Sequence, residues 1–212
     1  MRSLTTLTVL MALTIVASIP AVAGTITLVS IGTLTNDGSG TTYAITPDPA
    51  WAAPLAAPDG TASRWISDVS TTTKNSPVGS TVHFIDTFTL TGAPSLYFGS
   101  ITVMADDSTS VTLNGHLLQA VNPNQGANCA NAPIGCLTST ELTVALPSAD
   151  FVTGANTLSF GVRQGIANTA FGLDFAGVVS NTPEPASLGA FGLGMLVLSI
   201  SAARARRPRQ ER

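Results

Sequence analysis

Ser110-Val111-Thr112-Leu113-Asn114-Gly115-His116-Leu117-Leu118 is the stretch that decides the fold. Val111-Thr112-Leu113 alternates apolar and polar side chains, as a strand with one buried face does. Asn114-Gly115 follows at once, and these two residue types tolerate the positive φ angles of a type I′ turn. An apolar run then resumes at His116. Strand, two-residue turn, strand is an antiparallel hairpin, and nothing in it fits a helical period.

The same reading extends in both directions. Ile101-Thr102-Val103 and Leu158-Ser159-Phe160-Gly161-Val162 alternate in the same way. Runs rich in Val, Ile, Leu, Phe and Thr cover 25–31, 42–45, 63–66, 81–90, 96–104, 110–113, 116–121, 141–146, 157–162 and 171–179. Turn signals separate them, among them Asn36-Asp37-Gly38, Asp59-Gly60 and Gly154-Ala155-Asn156. Many short strands with no helical pattern between them predict an all-β chain, an antiparallel β-sandwich of jelly-roll type. Residues 47–58 are rich in Pro and Ala and read as an extended loop, with Trp51 either packing it down or standing exposed.

The two ends read as address labels. After Met1-Arg2-Ser3 an uncharged apolar run extends to Ile19, Pro20 stops it, and Ala21-Val22-Ala23 follows. This is the pattern of a secretory signal helix over 1–23, cut by signal peptidase after Ala23, with Ala21 at the −3 position. At the other end residues 186–203 carry no charge, and as a helix they would reach about 27 Å, close to the hydrocarbon thickness of a bilayer. Arg204, Arg206, Arg207 and Arg209 come next and fix the orientation of such a transmembrane helix, with the basic end of 204–212 in the cytoplasm. The chain divides into 1–23, an extracytoplasmic domain over 24–182, and a tail over 183–212.

The middle domain has ten acidic residues against three basic ones, Arg64, Lys74 and Arg163, a net charge of −7. The whole-chain value of −3 conceals this because the arginine tail offsets it. So acidic a surface argues against nucleic acid as a partner, since phosphates require a basic patch. Cys129 and Cys136 are the only cysteines, and both lie in the exported part. In an oxidising compartment they read as a disulfide closing a short loop, contributing roughly 2–3 kcal/mol.

Thr182-Pro183-Glu184-Pro185-Ala186-Ser187, the glycine-containing apolar run and the arginine end together resemble the PEP-CTERM family of sorting signals. That resemblance implies recognition by an exosortase, a membrane-embedded protease, with cleavage near Pro183, Glu184 and Pro185. It further implies membrane anchoring through the C-terminal helix before processing, and a final place in the cell envelope or an extracellular polysaccharide matrix. The middle domain is similar to galactose-binding-like jelly rolls in two stretches. These are Ala105-Asp106-Asp107-Ser108-Thr109-Ser110-Val111-Thr112-Leu113-Asn114-Gly115 and Gly154-Ala155-Asn156-Thr157-Leu158-Ser159-Phe160-Gly161-Val162. The second resemblance implies a fold, and such folds host sugar binding, protein binding and structural roles alike.

Residues able to do chemistry are few. His83 lies in Val82-His83-Phe84-Ile85-Asp86, where alternation puts His83 and Asp86 on opposite faces. No Gly-x-Ser-x-Gly nucleophile elbow occurs. Asp106-Asp107, with Ser108 beside them, could supply hard oxygen ligands to calcium, or could serve as turn formers bonded to local backbone. Trp51 is the aromatic best placed to stack on a pyranose ring. These features predict a non-catalytic surface or matrix protein, adhesive or carbohydrate-binding. A secreted hydrolase and a purely structural scaffold are the alternatives.

Overall fold

The computed structural model describes residues 24–75, 77–122 and 133–182. The expected signal helix, sorting tail and transmembrane helix lie outside these residues, as does Cys129. Eleven strands follow in chain order: β1 (Thr25–Val29), β2 (Thr35–Asn36), β3 (Tyr43–Ala44), β4 (Ile66–Ser67), β5 (Thr81–Leu90) and β6 (Tyr97–Asp106). Then come β7 (Ser108–Leu113), β8 (His116–Gln119), β9 (Leu142–Leu146), β10 (Gly154–Arg163) and β11 (Gly172–Asn181). Among the described residues the only helical pieces are single 3-10 turns at Pro94–Leu96 and Ser148–Asp150. No helix among them is long and apolar enough to cross a membrane.

All pairings are antiparallel, in two sheets. The first has the order β3-β4-β11-β6-β9, with β1 also on β11. The second has the order β2-β5-β10-β7-β8. Strands β4 and β1 share one side of β11, pairing at Leu173 and at Ala176–Ser180 respectively. The chain changes sheet between β5 and β6 and again between β6 and β7, so the long strands of one sheet face those of the other.

Alternation builds the core between them. Val82, Phe84, Phe88 and Leu90 of β5, with Leu158, Phe160 and Val162 of β10, meet Ile101, Val103 and Ala105 of β6 and Leu173, Phe175 and Val179 of β11. Phe160 and Phe175 stack across the interface with centroids 4.3 Å apart. Burying one such side chain contributes about 1.5–3 kcal/mol, so this layer is the main source of stability.

The Asn114-Gly115 hairpin forms as read, with φ angles of 51° and 85° joining β7 to β8. Its asparagine reaches further than a turn requires. Asn114 Nδ2 donates to Asp150 O and to Asn156 Oδ1, both at 2.8 Å, while Asn114 Oδ1 accepts from Thr157 N. Asn156 is fully buried and donates through Nδ2 to Val152 O and Gly154 O. The two stretches that resemble galactose-binding-like proteins therefore meet through their asparagines. Gly154-Ala155-Asn156, read as a turn, instead starts β10, because the ladder with β5 runs out to Gly154 opposite Leu90. Strand β2 lies where a turn was expected and holds two residues against Ile85 and Phe84.

Candidate functional site

Three places on the domain bring polar or aromatic groups together. The first is the outer face of the sheet containing β6 and β11, where even-numbered residues point away from the core. The Pro/Ala-rich loop folds onto this face. Ala52 N–H donates to Cys136 O, Leu55 N–H to Asp174 Oδ2, and Ser63 N–H to Leu55 O. Trp51 and Trp65 pack as a tilted pair with centroids 4.2 Å apart, joined by Met104 and the fully buried Cys136. Gly172 lies beneath them. A Cβ there would come within 2.8 Å of the Trp51 ring, so only glycine lets the indole settle on β11.

This corrects the reading of Trp51 as a stacking platform for sugar. The side chain is 8% exposed, and its Nε1–H donates to Asp106 Oδ2 at 2.7 Å. An indole bound on its polar edge and covered on its faces offers a ligand nothing.

Asp106 and Asp107 are likewise not arranged as calcium ligands. Asp106 is committed to Trp51, and Asp107 Oδ2 accepts from the Gly165 and Ile166 backbone N–H groups. Both residues are buried, and among the described residues no three His, Cys, Asp or Glu side chains converge as a metal site would need. Burial pushes the Asp106 carboxyl up to about 8, and the neighbouring Asp107 adds to that shift through its hydrogen bond and charge. The Trp51 N–H works in the opposite direction. Asp174 on the same face is also pushed up by burial, against hydrogen bonds from Ser30, Ser63 and Leu55. These carboxyls hold the loop and the β10–β11 connection in place.

The second place is the outer face of the other sheet. Asp37 clamps His83 twice, its Oδ1 accepting the His83 backbone N–H and its Oδ2 sitting 2.7 Å from Nδ1. Burial raises the Asp37 carboxyl, but the hydrogen bonds and charge from His83 outweigh it and hold the group below its ordinary value. Asp86 takes the opposite parity on β5, as alternation requires. His83, Gly161 and Ser110 share one cross-strand row. A Cβ on Gly161 would lie 2.7 Å from Ser110 Oγ and 3.2 Å from His83 Nε2, so hydroxyl and imidazole converge over the glycine. The sequence reading missed the clamp of Asp37 on His83 because the two are 46 residues apart and Asp37 looked like part of a turn. His116 stands 3.7 Å from Asp150, beyond hydrogen-bond distance, and is exposed.

The third place is a cleft of about 310 Å³ on the open side of the sandwich, between β1 and β5. Residues 30–34 cross there from one sheet to the other. Because β2 holds only two residues, the chain parts from β5 beyond Ile85 and leaves the next stretch of β5 uncovered. Thr27, Thr33, Thr35 and Thr87 line the cleft with Asp86, and Val29 and Ile31 supply an apolar wall. Thr27 Oγ1 donates to Asp59 Oδ2. Burial pushes the Asp86 carboxyl up, opposed by the Thr87 backbone N–H.

The residues expected to direct export and sorting, Ala21, Ala23, Pro183, Glu184, Pro185 and the four arginines, lie outside the described residues. So does Cys129, and with it the expected bridge to Cys136.

No curated protein matches the chain. Among solved structures, a family 35 carbohydrate binding module from Clostridium thermocellum is similar at 8% identity, over 72% of this chain and 97% of that one, with a TM-score of 0.36. So distant a likeness carries no residue across. Nor does the fold name an activity. The specific match falls at the C-terminal end, where residues 181–207 carry a PEP-CTERM protein-sorting motif.

Proposed function

We propose that this chain is an exported surface or matrix protein. It is cut by signal peptidase after Ala23 and by an exosortase near Pro183-Glu184-Pro185, and its β-sandwich is a non-catalytic module that meets polysaccharide or other surface partners. The sorting motif over 181–207 carries the reading, since it implies export and anchoring by a C-terminal signal. The acidic middle domain agrees with a place outside the cell and against nucleic acid.

A secreted hydrolase is the second reading, and Asp37, His83 and Ser110 are the observation in its favour. Their setting argues against it. Acyl transfer needs backbone or side-chain donors aimed at the developing oxyanion. Here the middle strand β10 pairs on both sides over Leu158–Arg163, so its N–H groups are spent on ladders. The His83 and Asp37 side chains are 49% and 52% exposed, where water competes for every contact.

The test is fractionation of cells expressing the parent or a variant with Pro183, Glu184 and Pro185 replaced by alanine. The parent should appear cut and released from the inner membrane, and the variant should stay uncut and retained. Equal processing of the two would overturn the sorting reading.

A further inference from the structure

Strand β5 contains one residue that folding does not explain. Its other inward positions, Val82, Phe84, Phe88 and Leu90, are all apolar and buried in the core. Asp86 interrupts that row with a carboxylate on the cleft wall. No cationic side chain lines the cleft and no ion pair to Asp86 forms among the described residues. A half-buried carboxylate left without a cation costs stability, and local rules broken in this way mark positions kept for function.

We propose that this cleft binds the ring of a neutral sugar, with Asp86 accepting hydrogen bonds from adjacent ring hydroxyls and Thr33, Thr35 and Thr87 completing the polar contacts. The proposal deepens the surface-module reading and rests on it only for where sugar would be met. An ionised carboxylate is acceptor-only with two oxygens, which suits a pair of neighbouring O–H donors. Threonine hydroxyls both donate and accept, and those of Thr33, Thr35 and Thr87 make no hydrogen bond among the described residues. Val29 and Ile31, the latter 39% exposed, offer a surface for the C–H face of the ring. A volume of about 310 Å³ lies at the small end of ligand sites, enough for a ring and not for a long chain segment. Asp86 would repel a uronic acid or phosphate. With no aromatic in the lining to stack on the ring, affinity falls in the millimolar class.

The test uses the full chain in a polyoxyethylene detergent, free of sugar headgroups, followed by amide NMR. Glucose, galactose, mannose and N-acetylglucosamine are titrated to about 50 mM, well past a millimolar dissociation constant, with glucuronic acid and glucosamine as charged comparators. At least one neutral sugar should give saturable shifts confined to residues 27–35 and 85–87. Asp86→Leu restores the apolar row and should melt no lower than the parent while losing binding about tenfold or more. Asp86→Asn, closer in shape, should lose a similar amount. Silence with every neutral sugar, shifts with charged sugars only, or binding that survives both Asp86 variants would each overturn the proposal. Surface delivery of Asp86→Leu should equal that of the parent. A fault in the sorting reading shows in the Pro-Glu-Pro variant, and a fault here shows only in the titration.

Discussion

Replacing Asn156 by alanine tests the claim that the Asn114–Asn156 pair fastens the ends of β7 and β10. Asn156 is fully buried and makes four hydrogen bonds. It accepts from Val152 N–H and Asn114 Nδ2, and donates to Val152 O and Gly154 O. Truncation leaves those four partners to find replacements. Asn114 Nδ2 keeps Asp150 O, and Val152 is exposed enough for water to reach its backbone. That leaves one or two groups without compensation, at about 1–3 kcal/mol each. The expected loss is therefore about 2–4 kcal/mol. For a domain of this size each kcal/mol moves the midpoint by about 2–4 °C, so thermal unfolding followed by circular dichroism should drop by roughly 5–15 °C. Asn114→Ala should cost less, and the double variant should fall short of additivity by about 1 kcal/mol, because the two side chains touch. A drop below about 2 °C, or strict additivity, would refute the reasoning, since neither fits a buried polar hub.

Two further outcomes follow from the outer face of the β6–β11 sheet. Because the Asp106 carboxyl is raised in the folded protein from 3.8 to about 8, its contribution to stability is greatest below the lower value. It is lost as pH rises through that window. The parent should therefore melt progressively lower from mildly acidic pH toward about 8, with the raised groups of Asp174 and Asp86 adding to the slope. Asp106→Asn retains an oxygen for the Trp51 N–H and should show a flatter melting profile and exceed the parent near pH 8, while parallel profiles would rule this out. Trp51→Ala should destabilise the domain by about 3–5 kcal/mol in urea unfolding and leave sugar titrations at the cleft unchanged. A stable variant with altered binding would restore Trp51 as a contact residue.

Legibility in the sequence follows the range of the interaction involved. The hairpin at Asn114-Gly115 and the long strands were readable because period-two alternation and turn chemistry are local. The sorting tail was readable because its three parts are contiguous. Trp51 was left between packing its loop down and standing exposed because its burial depends on Asp106, 55 residues away, and on the missing Cβ of Gly172. Asp106 and Asp107 were left between calcium ligands and turn formers because adjacent carboxylates are ambiguous until their donors are known, and those donors belong to the indole and to the β10–β11 connection. Strand β2 was lost because two residues carry no period. Asp86 is a different case. Val82, Phe84, Asp86, Phe88 and Leu90 stand in plain alternation, and a single carboxylate in an apolar row is a signal that sequence alone displays.

The pairing of β1 with β11 has a mechanical consequence. Asn181 N–H donates to Gly24 O, and Gly24 N–H donates to Asn181 Oδ1, so the chain enters and leaves the domain side by side. Strand β11, which runs directly into the sorting motif, is held by ten paired positions on β6 and by five on β1. A pull on Thr182 along the strand loads both ladders in shear, and many hydrogen bonds must fail together before the strand slides. Were the same strand at a sheet edge and pulled sideways, the bonds would open one after another. A load applied at Thr27 and Val29 crosses a single ladder to reach β11. The fold thus gives the domain a short, stiff path from β1 to the point where the sorting motif begins.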